Sequence, residues 1–153
     1  EQVYQELRIV AGNLAPPKFH NTYFTGILNS YLKEVTSSNN LILNVDFQSE
    51  EELNNLPDKI KVELYRVLQE LVTNILKHAN ANSIEFQLIK HDKFINLIVE
   101  DDGHVLDTSK KYKGMGVSNV ASRVALLNGE LNIDSYPHRG TIFNIDIPVV
   151  DQI

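Results

Sequence analysis

The run Ile84-Glu85-Phe86-Gln87-Leu88-Ile89, then Lys90-His91-Asp92-Lys93, then Phe94-Ile95-Asn96-Leu97-Ile98-Val99 decides the fold. Its two outer segments alternate apolar and polar side chains, as strands with one buried face do. The polar link between them makes the whole a β-hairpin. Upstream, Leu41 to Phe47 alternates in the same way and predicts another half-buried strand. Downstream, Leu131-Asn132-Ile133-Asp134 and Thr141 to Ile147 predict a second hairpin around Tyr136-Pro137-His138-Arg139-Gly140.

Between these segments the period changes from two to 3.6. The longest helix is expected from about Pro57 to Ala79. Pro57 suits a first-turn position, and Asp58 suits the positive end of the helix dipole. Leu64, Val67, Leu68, Leu71, Val72, Ile75 and Leu76 form its apolar stripe, while Glu63, Arg66, Glu70, Asn74 and Lys77 fall on the other side. Residues 19–35 form an earlier amphipathic stretch, followed by a Ser37-Ser38-Asn39-Asn40 turn. Residues 1–14 read as the tail of a helix that Pro16-Pro17 stops. Residues 48–56 read as acidic and irregular, and residues 101–116 as a polar, glycine-bearing loop. A last helix is expected from Val117 to Leu127, closed by Asn128-Gly129. Hairpins favour antiparallel pairing, and helices in this order would cover one face of one sheet. The expected class is therefore α+β, a two-layer α/β sandwich.

Composition narrows the function. With 153 residues, 42% hydrophobic and 22% charged, the chain can build one domain with a real core. A net charge of -6 argues against nucleic acid as a partner. The absence of cysteine excludes a disulfide scaffold and a thiolate zinc site. No apolar run approaches the roughly 20 residues of a membrane span, and no signal peptide is visible. The opening Glu1-Gln2-Val3 lacks a methionine, which predicts a piece of a longer protein.

Three segments carry chemistry. Glu70 and Asn74 lie one turn apart on one helix face. A carboxamide and a carboxylate so placed can hold a hydrated divalent cation, although Glu-x-x-x-Asn alone is ordinary solvent-facing decoration. Asp101-Asp102-Gly103 follows the strand Leu97-Ile98-Val99. An Asp there can accept from an exocyclic amine such as that of adenine; the plain alternative is an Asp-Gly turn. Gly114-Met115-Gly116 directly precedes a helix, whose first N–H groups attract phosphate. Lys110, Lys111 and Lys113 could add positive charge there. Gly140-Thr141 begins the last strand, where a turn glycine before a β-branched residue is the plainer reading. No pair among His20, His78, His91, His104 and His138 has helical metal spacing.

In this order the segments resemble the N, G1 and G2 boxes of the histidine-kinase-type ATPase domain (the GHKL superfamily, with the Bergerat fold). Leu64 to Ala79 is similar to the N box of sensor kinases that partner LuxR/NarL-type response regulators, and the likeness covers about residues 60–148. Leu7-Arg8 through Asn13-Leu14-Ala15-Pro16-Pro17 resembles the end of that group's second dimerisation helix. The resemblance divides the chain into a remnant of that helix and linker, residues 1–17, and an ATP-binding catalytic domain, residues 18–153. It implies a mixed, mostly antiparallel sheet covered on one face by about three helices.

The resemblance also implies roles. Asn74 would ligate Mg²⁺, and Glu70 would be the catalytic acid/base near the γ-phosphate of ATP. Lys77 and His78 would lie near the phosphates. Asp101 would bind the adenine amine with Gly103 beside it, and Thr141 would lie near adenine. Gly114 and Gly116 would hinge an ATP lid over about residues 103–116. The implied activity is transfer of the γ-phosphoryl to a His upstream of residue 1 and onward to an Asp of a response regulator. The implied parent is a homodimer with this domain in the cytoplasm, compatible with an inner-membrane anchor. Three positions depart from the pattern: Val105 stands where Gly is usual, Leu106 where Phe is frequent, and Gly12 where many relatives have His. Val105 leaves open a degenerate, non-catalytic sensor module. An anti-sigma-factor-like serine kinase is a further alternative, against which the proline-bounded start counts.

Overall fold

The computed structural model describes residues 23–78, 80–103, 115–136 and 140–149. The expected helix tail and linker at residues 1–17 lie outside these, as do Val105, Leu106 and the loop lysines. Four helices and five strands follow one another along the described chain: α1 (Phe24–Ser38), β1 (Ile42–Gln48), α2 (Glu50–Asn54), α3 (Asp58–His78), β2 (Ser83–Lys90), β3 (Phe94–Asp101), α4 (Met115–Leu126), β4 (Glu130–Tyr136) and β5 (Gly140–Pro148). The strands form one sheet in the order β1-β2-β3-β5-β4. β1 runs parallel to β2, and the other three pairings are antiparallel. The α+β class and the mixed, mostly antiparallel sheet follow as expected.

Alternation along each strand fixes which side is covered. Ile84, Phe86 and Leu88 on β2, Ile95, Leu97 and Val99 on β3, and Phe143, Ile145 and Ile147 on β5 are all buried. They meet the apolar stripe of α3, where Leu64, Val67, Leu68, Leu71, Val72 and Ile75 are buried too, together with Phe24, Leu28 and Leu32 of α1. Burial of large apolar side chains, each contributing about 1.5–3 kcal/mol, is the main force holding the layers together.

No described helix covers the opposite face. It carries Asp46, Glu85, Glu100, Asp134, Asp146 and Glu130, and no Lys or Arg among its described strand positions. A carboxamide ties two positions of β5 together here: Asn96 Nδ2 donates to Asp146 Oδ1 at 2.8 Å and to Asn144 Oδ1 at 2.7 Å. Glu85 stands directly opposite Glu100 in the ladder. A groove of about 500 Å³ lined by Asn44, Asp46, Glu85, Gln87, Glu100 and Ile142 lies on this face, on the other side of the sheet from the Asp101 side chain.

Four sequence expectations need correction. The acidic stretch at 48–56 contains the one-turn helix α2. Three glutamates in its first turn favour the helix dipole, and Leu53 is fully buried. Asn54 Oδ1 accepts the Thr25 N–H at 3.0 Å, which caps the start of α1. Second, α1 continues through Ser38 instead of ending at 35: Val35 and Thr36 are buried in its last turns, and the Thr36 and Ser38 hydroxyls find acceptors in the Leu32 and Glu34 carbonyls. Third, α4 begins at Met115, so Gly116 lies inside its first turn instead of before it. Burial of Val117, Val120 and Val124 outweighs the roughly 1 kcal/mol that a helical glycine costs. Fourth, Asn74 is not on a solvated face: only 7% of it is exposed, in a helix layer where α4 packs along α3 and Arg123 reaches Glu63 at 3.6 Å.

Candidate functional site

Residues opposite one another across the sheet form rows on its covered face. One row reads Val45, Phe86, Val99, Phe143, Ile133, and the next Phe47, Leu88, Leu97, Ile145, Leu131. Both are wholly apolar. The row at the other end reads Leu43, Ile84, Asp101, Thr141, Ser135. Here the core turns polar, and Asp101 and Thr141 are nonetheless only 2% and 3% exposed. Buried polar groups need partners, so this row is where a polar ligand would be read.

Asp101 ends β3, and its Oδ1 accepts the Gly103 N–H at 2.8 Å. Burial pushes its pKa up to about 6; the Gly103 N–H opposes this, and the charges of Asp102 and Glu100 add to it. The carboxylate therefore ionises near neutrality at a cost, which a donor from a ligand would offset. Thr141 Oγ1 lies 3.0 Å from Ser135 Oγ across the β4–β5 ladder. Gly140 precedes it at φ +90°, and a Cβ there would sit 1.9 Å from the Asp101 carbonyl oxygen. Only glycine lets β5 approach the end of β3 this closely.

Connectivity brings further groups to the same end. α3 finishes at His78, and β2 starts five residues later opposite the end of β3. Asp102 Oδ1 fastens that connection by accepting the Asn82 N–H at 2.7 Å and the Ser83 N–H at 2.9 Å. Desolvation raises the Asp102 pKa a little, but the Ser83 and Asn82 N–H groups outweigh it, and the net shift is downward. Asp102 thus holds the start of β2 against the end of the strand that carries Asp101. Its contribution is present above the ordinary carboxylate range and is lost as pH falls through the lowered pKa. Asp102→Ala should lower the urea midpoint at neutral pH by the equivalent of about 1–2 kcal/mol, with the gap closing in acid. An unchanged midpoint at neutral pH would refute the clamp.

On that last stretch of α3, Asn74 is nearly buried, Glu70 is half-buried one turn earlier, and Lys77 is exposed. The Thr73 hydroxyl between them is buried and has no hydrogen-bond partner among the described residues. Glu70 also faces α1: after burial and Tyr65, its charge helps hold the Tyr31 phenol well above the usual range. The oxygens of Asn74 and Glu70 with the orphaned Thr73 hydroxyl suit a hard cation that takes few protein ligands and keeps its waters. α4 ends only four residues before β4, which starts at the far end of the sheet, so the first turn of α4 with Gly116 points back toward Asp101. The His78 side chain and Gly114 lie outside the described residues.

The structure therefore gathers Asp101, Gly103 and Thr141 at one end of the sheet, with the last turns of α3 and the first turn of α4 leading to the same end. Sequence reasoning gave no role to Asp102 or Ser135 and favoured a plain turn for Gly140. Ser135 was within reach, since the alternation Leu131, Ile133, Ser135 places it inward. The needs of Asp102 and Gly140 depend on register and had no local signal.

The histidine kinase-, DNA gyrase B- and HSP90-like ATPase profile matches residues 59–151, and the chain belongs to this family. Within it, the likeness runs to histidine kinases. The chain is 32% identical over 147 residues to the signal transduction histidine-protein kinase/phosphatase UhpB of Salmonella typhimurium, covering 95% of this chain and 29% of that protein. It is 27% identical over 152 residues to the oxygen sensor histidine kinase NreB of Staphylococcus carnosus, covering 98% and 43%. Among solved structures, the blue-light activated histidine kinase of Erythrobacter litoralis EL346 superposes with a TM-score of 0.61 at 28% identity, over 78% of this chain and 41% of that one. The chain thus spans less than half the length of these relatives.

Proposed function

We propose that this chain is the catalytic, ATP-binding domain of a sensor histidine kinase that binds Mg-ATP for transfer of the γ-phosphoryl to a His elsewhere in its parent. The observation that carries this reading is the polar row at one end of the sheet's covered face, beside two wholly apolar rows, where Asp101 and Thr141 face each other beneath the close approach of Gly140. A carboxylate and a hydroxyl side by side suit an exocyclic amine and its neighbouring ring nitrogen. Asn74 would hold the metal, and Glu70 would take the proton that the imidazole loses from its other ring nitrogen as the first attacks the γ-phosphorus. Lys77, His78 and the backbone at Gly114 and Gly116 would meet the phosphates, with Gly103 at the start of the lid. Mg²⁺, when bound, supplies neutralisation of phosphate charge. The rest is positioning, which is what phosphoryl transfer mostly asks of a protein.

The parent would be a cytoplasmic-facing homodimer whose dimerisation helix ends within residues 1–17. Its phosphoryl group would pass to a response regulator of the LuxR/NarL type. Among the described residues no helix is long and apolar enough to cross a membrane.

Calorimetry tests the reading. Wild-type chain should bind Mg-ATP with micromolar to sub-millimolar affinity. Asn74→Ala should weaken Mg-ATP about tenfold or more while leaving metal-free ATP binding nearly unchanged, the mark of a metal ligand. If the wild-type chain binds no nucleotide, a degenerate module, with Val105 where the family usually has Gly, becomes the better reading.

A further inference from the structure

The sheet face that no described helix covers carries a line of apolar side chains. Ile89 on β2 stands opposite Asn96, and Ile98 follows Asn96 by two residues on β3. Ile98 stands opposite Asn144, two residues from Ile142 on β5. Ile142 stands opposite Asp134, two residues from Tyr136 on β4. Each step moves one strand across and two residues along, so Ile89, Ile98, Ile142 and Tyr136 form a diagonal. Strand spacing and rise make it about 25 Å long. The three isoleucines are half-buried, and Tyr136 is 46% exposed. The carboxylates of this face divide evenly about that line. Asp46, Glu85 and Glu100 lie on one side, and Asp134, Asp146 and Glu130 on the other. The groove described above is lined by Ile98 and Ile142 and by all three acids of the first side.

We infer that this face is a docking surface for an amphipathic helix of a protein partner, one whose apolar stripe is bordered on both sides by Lys or Arg. A helix of about 16 residues matches the length of the diagonal. Its stripe covers the three isoleucines and Tyr136, and the long stems of its bordering cations lie over the sheet and carry their charges to the acids. An extended strand fits less well. Its side chains point alternately toward and away from the sheet, so it offers one file where the face has an apolar file between two acidic ones. Glu85 directly opposite Glu100 is a like-charge pair that costs the free sheet stability, and a cation set between them removes that cost. A metal ion does not match this layout, since among the described residues no three acids are grouped so as to hold one. A surface of anionic lipid is repelled by the same carboxylates. The inference is independent of the nucleotide reading.

Two designed peptides of about 18 residues test it, titrated into the isotope-labelled chain. Both contain the same Leu, Ala and Lys residues. One sets its Leu residues in a single helical stripe bordered by Lys, and the other scrambles their order. The striped peptide should bind with a Kd on the order of 10–100 μM at low salt and move the amide signals of β2, β3 and β5 most. Ile98→Lys should weaken it about tenfold or more. Asp46→Asn, Glu85→Gln and Glu100→Gln together should weaken it about fivefold at low salt and by little at high salt. Melting temperatures at or above that of the wild type show that the variants are folded. No binding of the striped peptide overturns the inference. So does equal binding of the scrambled one, which would reduce the face to a diffuse attraction for polycations, and so does striped binding that survives Ile98→Lys. Sedimentation showing a dimer of the chain alone that Ile98→Lys abolishes would give the face to a second copy and overturn it as well.

Discussion

Replacing Gly140 with alanine will lower the unfolding free energy by about 3–5 kcal/mol, among the largest effects expected of a single substitution. Two causes act together. The residue sits at φ +90°, where an L side chain is strained whatever the available space. The new Cβ would also lie 1.9 Å from the Asp101 carbonyl oxygen and 2.8 Å from the Asp102 Cα. These are backbone atoms at the end of the central strand and cannot swing aside as the tip of a side chain can. Relief requires β5 and the end of β3 to part, which breaks the Asp101–Thr141 pairing and displaces the carboxylate proposed to read adenine. The melting temperature should fall by about 10 °C or more, and molecules still folded in the cold should bind ATP far more weakly. A melting temperature within a degree or two of wild type would mean that the start of β5 moves freely, and the argument for a fixed Asp101 would collapse.

Asp101→Asn should separate binding from stability, with opposite signs. The carboxylate is the acceptor of a charge-assisted hydrogen bond in the proposed complex, and an amide can present its own N–H to the ligand amine instead. Nucleotide affinity should drop by about a hundredfold or more. The unliganded domain should become more stable. Folding raises the Asp101 pKa from 3.8 to about 6, so the native state holds more protons than the unfolded chain between these values. Stability therefore falls as pH rises through that window, and above about 6 the folded domain carries a penalty on the order of 2–3 kcal/mol. Asp101→Asn removes the titration and most of the penalty. Its advantage over wild type should be small near pH 4 and full near pH 8, read from denaturation midpoints across the range. Wild-type ATP affinity should weaken below about pH 6 relative to a variant that lacks this carboxyl. If D101N binds Mg-ATP as wild type does, Asp101 is not the adenine acceptor. If its stability shows no gain near pH 8, burial is not what shifts the group.

Much of this architecture could be read from local pattern. Period-two alternation through 84–99 marks the hairpin and its inner face, because a one-residue slip would turn every Ile and Phe to solvent. The stripe from Leu64 to Ile75 marks α3, and Asn128-Gly129 marks the end of α4. The site was partly legible for a different reason: Asp101 and Gly103 stand where a strand stops, and the Asn74 turn stands where a helix stops. Other features were hidden because they belong to pairs of segments. The five residues of α2 are too few to show a period. The burial of Asn74 comes from helix packing. Gly140 is indispensable only because β5 starts beside Asp101, and Asp102 clamps a connection twenty residues away.

The open face of the sheet has a consequence for how copies of this domain behave in company. Bare sheets tend to stack on one another, and this one offers no cation at its described strand positions to invite a partner of its own kind. Two such faces brought together would set carboxylate against carboxylate, a repulsion felt over roughly 8 Å at physiological salt. The domain is in this sense self-avoiding: crowding copies of it does not glue their sheets, and only high salt or low pH would soften that barrier.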